Sequence, residues 1–167
     1  MNYSECIENA RTRIGNYCKA CPECNGRACK NQMPGPGAKG VGDTAIRNYD
    51  KWKEIRVQMD TIAENKPVDT SLELFGKKFL YPFFAGPVGA VGLHYGDCLD
   101  DVRYNDILVS ACAKYGIAAF TGDGLDSNVM VAATKAIGKT DGIGIPTVKP
   151  WNIDTVVRLS CHFRSLH

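Results

Sequence analysis

The second half of the chain alternates short apolar runs with amphipathic stretches, and that alternation limits the folds open to it. Leu80 to Ala85 is a continuous apolar run suited to a strand covered on both faces. A helix over about 101–115 follows, with Val102, Ile107, Leu108, Ala111, Cys112 and Tyr115 on one face and Gly116 as its stop. "IAAFTG" (117–122) is the next strand, and "DGLDSN" leads into a helix over about 127–137 closed by Gly138. "GIGIPTVK" (142–149) is the third strand, with Asn152 the cap of a further helix. Strands and helices joined in turn by short loops build a parallel sheet, so the fold class is α/β. In such folds ligands sit beyond the carboxyl ends of the strands. Those ends carry "GPVGAVGLHYGD", "TGDGLDSN" and "KPWN", whose glycine, hydroxyl and charged residues suit ligand contact as well as plain turn formation.

Upstream the pattern is less regular. Residues 2–17 read as a short polar helix, and "MPGPGAKGVGDT" (33–44) is too rich in glycine and proline for regular structure. Gly35, Gly37 and Gly40 formally make a GxGxxG, but no strand precedes it, so it reads as a loop rather than a dinucleotide fingerprint. From Asn48 to Ala63, Trp52, Ile55, Met59 and Ile62 step by three and four, which predicts a helix with one buried face and Asp50 as its N-cap. Leu72 to Phe79 reads as a small hairpin turning at Gly76.

Between these segments, "CKACPECNGRAC" puts Cys18, Cys21, Cys24 and Cys29 into twelve residues. The first three repeat the C-x2-C-x2-C spacing that holds a cubane iron–sulfur cluster. The fourth follows after four intervening residues, without the proline usual in ferredoxins, and zinc would accept the same four sulfurs. Three uses stay open: an iron–sulfur centre passing electrons, a zinc or cluster knot bracing the N-terminal segment, and free thiols. Cys6, Cys98, Cys112 and Cys161 are scattered, Cys112 as a small hydrophobe on a helix.

The bulk numbers exclude several classes. A net charge of +2 gives no basis for nucleic-acid or membrane-surface binding, and no apolar run is long enough to span a bilayer. The polar N-terminus "MNYSECIENARTR" lacks an apolar signal region, so a cytoplasmic location with reduced thiols is the expectation.

One stretch carries a specific likeness. Asp69-Thr70-Ser71, Leu74-Phe75-Gly76, and then Pro82-Phe83-Phe84-Ala85-Gly86-Pro87-Val88-Gly89 resemble the start of the barrel in the FMN-dependent alpha-hydroxy-acid dehydrogenases, the glycolate and lactate oxidase family. Gly86 and Gly89 stand where that family usually has alanines. The cysteine run followed by "PGPGAKGVG" is similar to the N-terminal extension of a bacterial branch of the family. The resemblance implies a partial (β/α)8 barrel, its first three βα units preceded by a helical, cysteine-rich extension. On that reading 1–47 is the extension, 48–157 the first part of the flavin barrel, and 158–167 an aberrant tail, since the amphipathic repeat breaks near Arg158. The tail reads as a truncated or out-of-frame ending.

The resemblance also implies FMN as cofactor and a 2-hydroxy acid as substrate. The backbone of Pro87, Val88 and Gly89 would lie against the flavin ring, Thr121 and Gly122 would contact it, and Thr147 and Lys149 would face its pyrimidine edge and the substrate. A cation at Lys149 would stabilise negative charge on the reduced flavin; a solvent-exposed lysine ending a strand is the plainer use. The family's second-half machinery, a His-Gly-Gly-Arg stretch and a strand lysine, has no counterpart here. His94, His162 and His167 stand in no such motif, so no catalytic residue is assigned. The chain then reads as an N-terminal half unable to catalyse alone, with a separate C-terminal half or a second copy of itself as partner. The alternatives are a metal-binding module without catalysis, another FMN barrel enzyme of the dihydroorotate dehydrogenase or glutamate synthase type, and a product with no activity.

Overall fold

The computed structural model describes residues 2–15, 17–29, 43–123, 126–140, 143–149 and 151–164. The Gly35–Gly40 motif lies outside them. The described chain forms two compact units, 1–67 with 92–98, and 68–91 with 99–167.

In the first unit, α1 (Tyr3–Arg13) opens on a capping box. The Asn2 side chain accepts the Glu5 N–H, and the Glu5 carboxylate accepts the Asn2 N–H. Past its end, the Gly15 N–H reaches the Tyr95 carbonyl at 2.7 Å, tying α1 to the short helix α3 (Val91–Tyr95). Helix α2 (Asp43–Trp52) starts earlier and stops sooner than its apolar spacing predicts, and Asp50 lies inside it rather than at its N-cap. A turn at 53–54 ends it, and Trp52, Ile55, Met59 and Ile62 are all exposed, Ile62 at 97%. Apolar spacing yields a helix only where a surface takes the stripe; residues 55–70 find none and run without regular structure.

The second unit begins with the hairpin, β1 (Leu72–Leu74) antiparallel to β2 (Lys77–Phe79). Phe75 at φ 54° and Gly76 at φ 69° are both left-handed, the two-residue turn whose twist matches a hairpin. Asp69 and Thr70 fasten its base. The Asp69 carboxylate accepts the Ser71 N–H at 2.8 Å, which lowers its pKa, and the Thr70 hydroxyl donates to the Leu80 carbonyl.

Helices α4 (Asp101–Lys114), α5 (Ser127–Gly138) and α6 (Ile153–Arg164) alternate with β3 (Ala119–Phe120) and β4 (Gly144–Ile145). Asp100, Asp126 and Asn152 each accept a backbone N–H from the first turn of the helix that follows. Helix α4 ends in a Schellman turn: Ile117 N–H to Cys112 O, Gly116 N–H to Ala113 O, and Gly116 at φ 69°. Ala85 pairs parallel with Ala119, and β3 pairs parallel with β4 in the register Ala119–Gly144, Phe120–Ile145. Three strand segments thus lie side by side in chain order, each followed by a helix. No closed barrel forms among the described residues; the architecture is mixed α/β with small sheets.

The core gathers Val109 and Cys112 of α4, Ala119 of β3, and Ala136 and Ile137 of α5, with Ala85, Leu108 and Ile117 against it. The buried positions of α4 are Asn105, Val109 and Cys112, whereas Val102, Ile107 and Tyr115, expected on that face, are exposed. The run 80–85 is likewise not covered on both faces. Leu80, Tyr81 and Phe83 stay exposed, and only Ala85 pairs. Pro82 has no N–H for a ladder and restrains Tyr81 before it. Helix α6 continues through Arg164, packs on α5 and buries Leu159 to 2% exposure, so residues 158–164 are helical.

Candidate functional site

The loops after Phe120 and Ile145 are bonded to each other by their own polar groups, and the loop after Ala85 packs closely against the first of these. Thr121 is fully buried; its N–H reaches the Ile145 carbonyl at 2.9 Å and its Oγ1 accepts the Thr147 N–H at 3.3 Å. The hydroxyl expected to face a flavin therefore ties the second strand end to the third. Asp123 is 4% exposed, and its Oδ2 accepts the Lys149 N–H at 2.6 Å and the Trp151 indole N–H at 3.1 Å. A buried carboxylate is tolerable when such donors replace its water.

The first loop meets the second backbone to backbone. A Cβ placed on Gly122 would lie 1.7 Å from the Val88 carbonyl oxygen, and one on Gly89 would lie 2.6 Å from that of Asp123. Glycine at 89 and 122 is thus required for the loops to approach each other. At Gly86 a Cβ would meet nothing within 4 Å. Pro87 is exposed, Val88 and Gly89 half-buried, Gly122 buried, Thr147 half-buried and Lys149 exposed, its ammonium 5.9 Å from the centre of the Trp151 ring.

Helix α4 braces the cluster from beneath. Asn105, with no exposed surface, accepts the Gly122 N–H at 2.9 Å and donates to the Asp101 carbonyl at 2.8 Å. The Asp101 carboxylate accepts the Val91 N–H at 3.2 Å. Asn105, Asp101 and Asp123 escaped the sequence reading. Asn105 had a signal: it stands four and seven residues before Val109 and Cys112, so an amide sits in the apolar stripe of α4. Asp123 had none, because its partners are 26 and 28 residues away.

In the N-terminal unit, the cysteine segment has no helix or strand. Side chains hold it: the Tyr3 hydroxyl donates to the Pro22 carbonyl, Tyr49 to Glu23, and Arg27 pairs with Asp50 at 3.4 Å. Ala20 is buried in the left-handed region at φ 43°, and its N–H points at the Cys18 sulfur at 3.5 Å. Cys29 has a raised pKa through burial first, then the charges of Cys24, Cys18 and Cys21. The donor set suits zinc or an iron–sulfur cluster. Yet among the described residues no three His, Cys, Asp or Glu side chains converge as ligands of one ion.

Among the described residues no helix is long and apolar enough to cross a membrane. A family model described as FMN-dependent dehydrogenase matches residues 35–142 of the 167. No curated protein and no solved structure matches the chain.

Proposed function

Because this chain belongs to the FMN-dependent dehydrogenase family, we propose that its three strand-end loops form part of an FMN cradle in an oxidoreductase acting on a 2-hydroxy acid. One observation carries the reading: the family match spans the first two strand ends, and the parallel pairing of β3 with β4 brings Thr147 beside Thr121 at the third. Bound there, FMN supplies the chemistry, taking up two electrons and a proton from the alcohol carbon of the substrate. The chain's own residues hold and orient. Pro87, Val88 and Gly89 would hold the flavin through their backbone, buried Thr121 and Gly122 would support that surface from beneath, and Thr147 would offer a polar edge. The Lys149 cation lowers the cost of negative charge at the pyrimidine side. No residue of this chain is assigned as the proton-abstracting base.

The test is titration of the purified chain with FMN, followed by flavin fluorescence. Quenching that saturates, and a Lys149→Met variant weakened by about tenfold, would support the cradle. Absence of quenching, or quenching indifferent to Lys149→Met and Gly122→Ala, would overturn it.

A second proposal concerns Cys18, Cys21, Cys24 and Cys29 as ligands of one zinc ion or iron–sulfur cluster that braces the N-terminal unit. The Ala20 N–H aimed at the Cys18 sulfur favours it, since such a donor stabilises a thiolate ligand. Anaerobic purification should then give broad absorbance at about 400 nm for a cluster, or bound zinc by elemental analysis without it. A chain that retains neither metal after loading and desalting would exclude this role.

A further inference from the structure

Asp123 is one residue that touches all three strand-end loops. It follows β3, its carbonyl faces Gly89 of the first loop, and its carboxylate holds the third through the Lys149 and Trp151 N–H groups. The Trp151 backbone N–H in turn donates to the Lys149 carbonyl at 2.8 Å. The Trp151 ring lies under the Lys149 ammonium at 5.9 Å, the outer range of a cation–π contact. Carboxylate, indole and ammonium thus form a short chain of contacts ending at an exposed cation. That cation makes no ion pair among the described residues, and Asp123 meets its own need through N–H donors. The lysine charge remains available to an anionic neighbour.

We propose that Asp123 is a positioning residue for the flavin site, setting through Trp151 where the Lys149 ammonium stands; this rests on the cofactor reading above. Asp123 touches no reacting atom. It acts by fixing the third loop, so its loss should scatter the position of the cation as well as lower stability.

The test uses a Trp52→Phe background, which leaves Trp151 as the one tryptophan of the two in the chain. In that background Asp123→Ala should shift Trp151 emission to the red, raise acrylamide quenching about threefold, and weaken FMN binding about tenfold. Asp123→Asn keeps a carbonyl acceptor and should leave Trp151 emission unshifted, with quenching and FMN affinity within about 1.5-fold of the parent. Leu159→Ala, a core change on α6, serves as the control for destabilisation alone: it should lower the melting temperature while leaving Trp151 emission and FMN affinity in place. If Asp123→Ala fails to fold, Trp151→Phe, which keeps the ring but not the N–H, should weaken FMN binding by about threefold. The proposal is overturned if Asp123→Ala leaves emission and affinity unchanged, or if Leu159→Ala moves them equally. A parent chain that takes up no FMN would defeat the cofactor reading and this role with it, while the emission data would still report whether Asp123 holds Trp151.

Discussion

The carbonyl oxygen of Val88 fills the space where a side chain on residue 122 would begin, 1.7 Å from the Cβ position. A methyl group there must push the first loop away from the second. Gly122→Ala should therefore cost about 3 kcal/mol or more in chemical denaturation. Gly89→Ala, with 2.6 Å to the Asp123 oxygen, should follow it, and Gly86→Ala, facing open space, should stay within about 0.5 kcal/mol of the parent.

Stability should decline on the alkaline side. Burial raises the pKa of Cys112 above the ordinary 9.0 and that of Tyr104 above 10.0, where Cys112 adds a second, charge-based push. Below those values both folded and unfolded forms are protonated and the two groups leave stability unchanged. As pH rises past them the unfolded chain ionises first, and stability falls until the folded groups ionise as well. Denaturation midpoints between pH 8 and about 11 should show this slope, and Cys112→Ala combined with Tyr104→Phe should flatten it.

Thiol reagents should sort the cysteines by burial. Cys6, Cys24, Cys98 and Cys161 are exposed and should react in the folded state, whereas Cys112 should react only as the chain opens. Mass spectrometry after brief alkylation would identify the modified sites, and early modification of Cys112 would contradict the core assignment.

Leu159 provides a check on the last helix. Its truncation to alanine should lose about 2–4 kcal/mol, as for a fully buried leucine. A neutral result would remove residues 158–164 from the folded unit.

The apolar residues after α2 make the opposite forecast. Ile55, Met59 and Ile62 are exposed, so serine at each should change stability by no more than about 0.5 kcal/mol. Their exposure also predicts improved solubility of the triple variant, read as reduced light scattering on concentration.

Local signals were legible in the chain, and distance defeated the rest. The hairpin at Gly76, the stop at Gly116 and the cap at Asn152 each depend on a few neighbouring residues, and all three are present. The expected helix over 48–63 failed because periodicity reports what a helix would bury, not whether a partner surface exists. The expected face of α4 counted apolar residues alone, whereas the buried face includes Asn105, which accepts the Gly122 N–H. Family likeness marked the strand-end loops, and the matched range confirms the family. What it did not show is that Gly89, Thr121 and Gly122 serve loop-to-loop contact, since that requires knowing which segments meet.

The close meeting of the three strand ends also constrains how this protein can diverge. Residues 88, 89, 121, 122, 123, 147, 149 and 151 meet through backbone groups, the Thr121 hydroxyl, the Asp123 carboxylate and the Trp151 indole, so an insertion or a bulkier residue in one loop is felt by its neighbours. Variation should enter these positions in compensating sets rather than singly, and a graft of any one loop from a relative should fail where transfer of all three together succeeds.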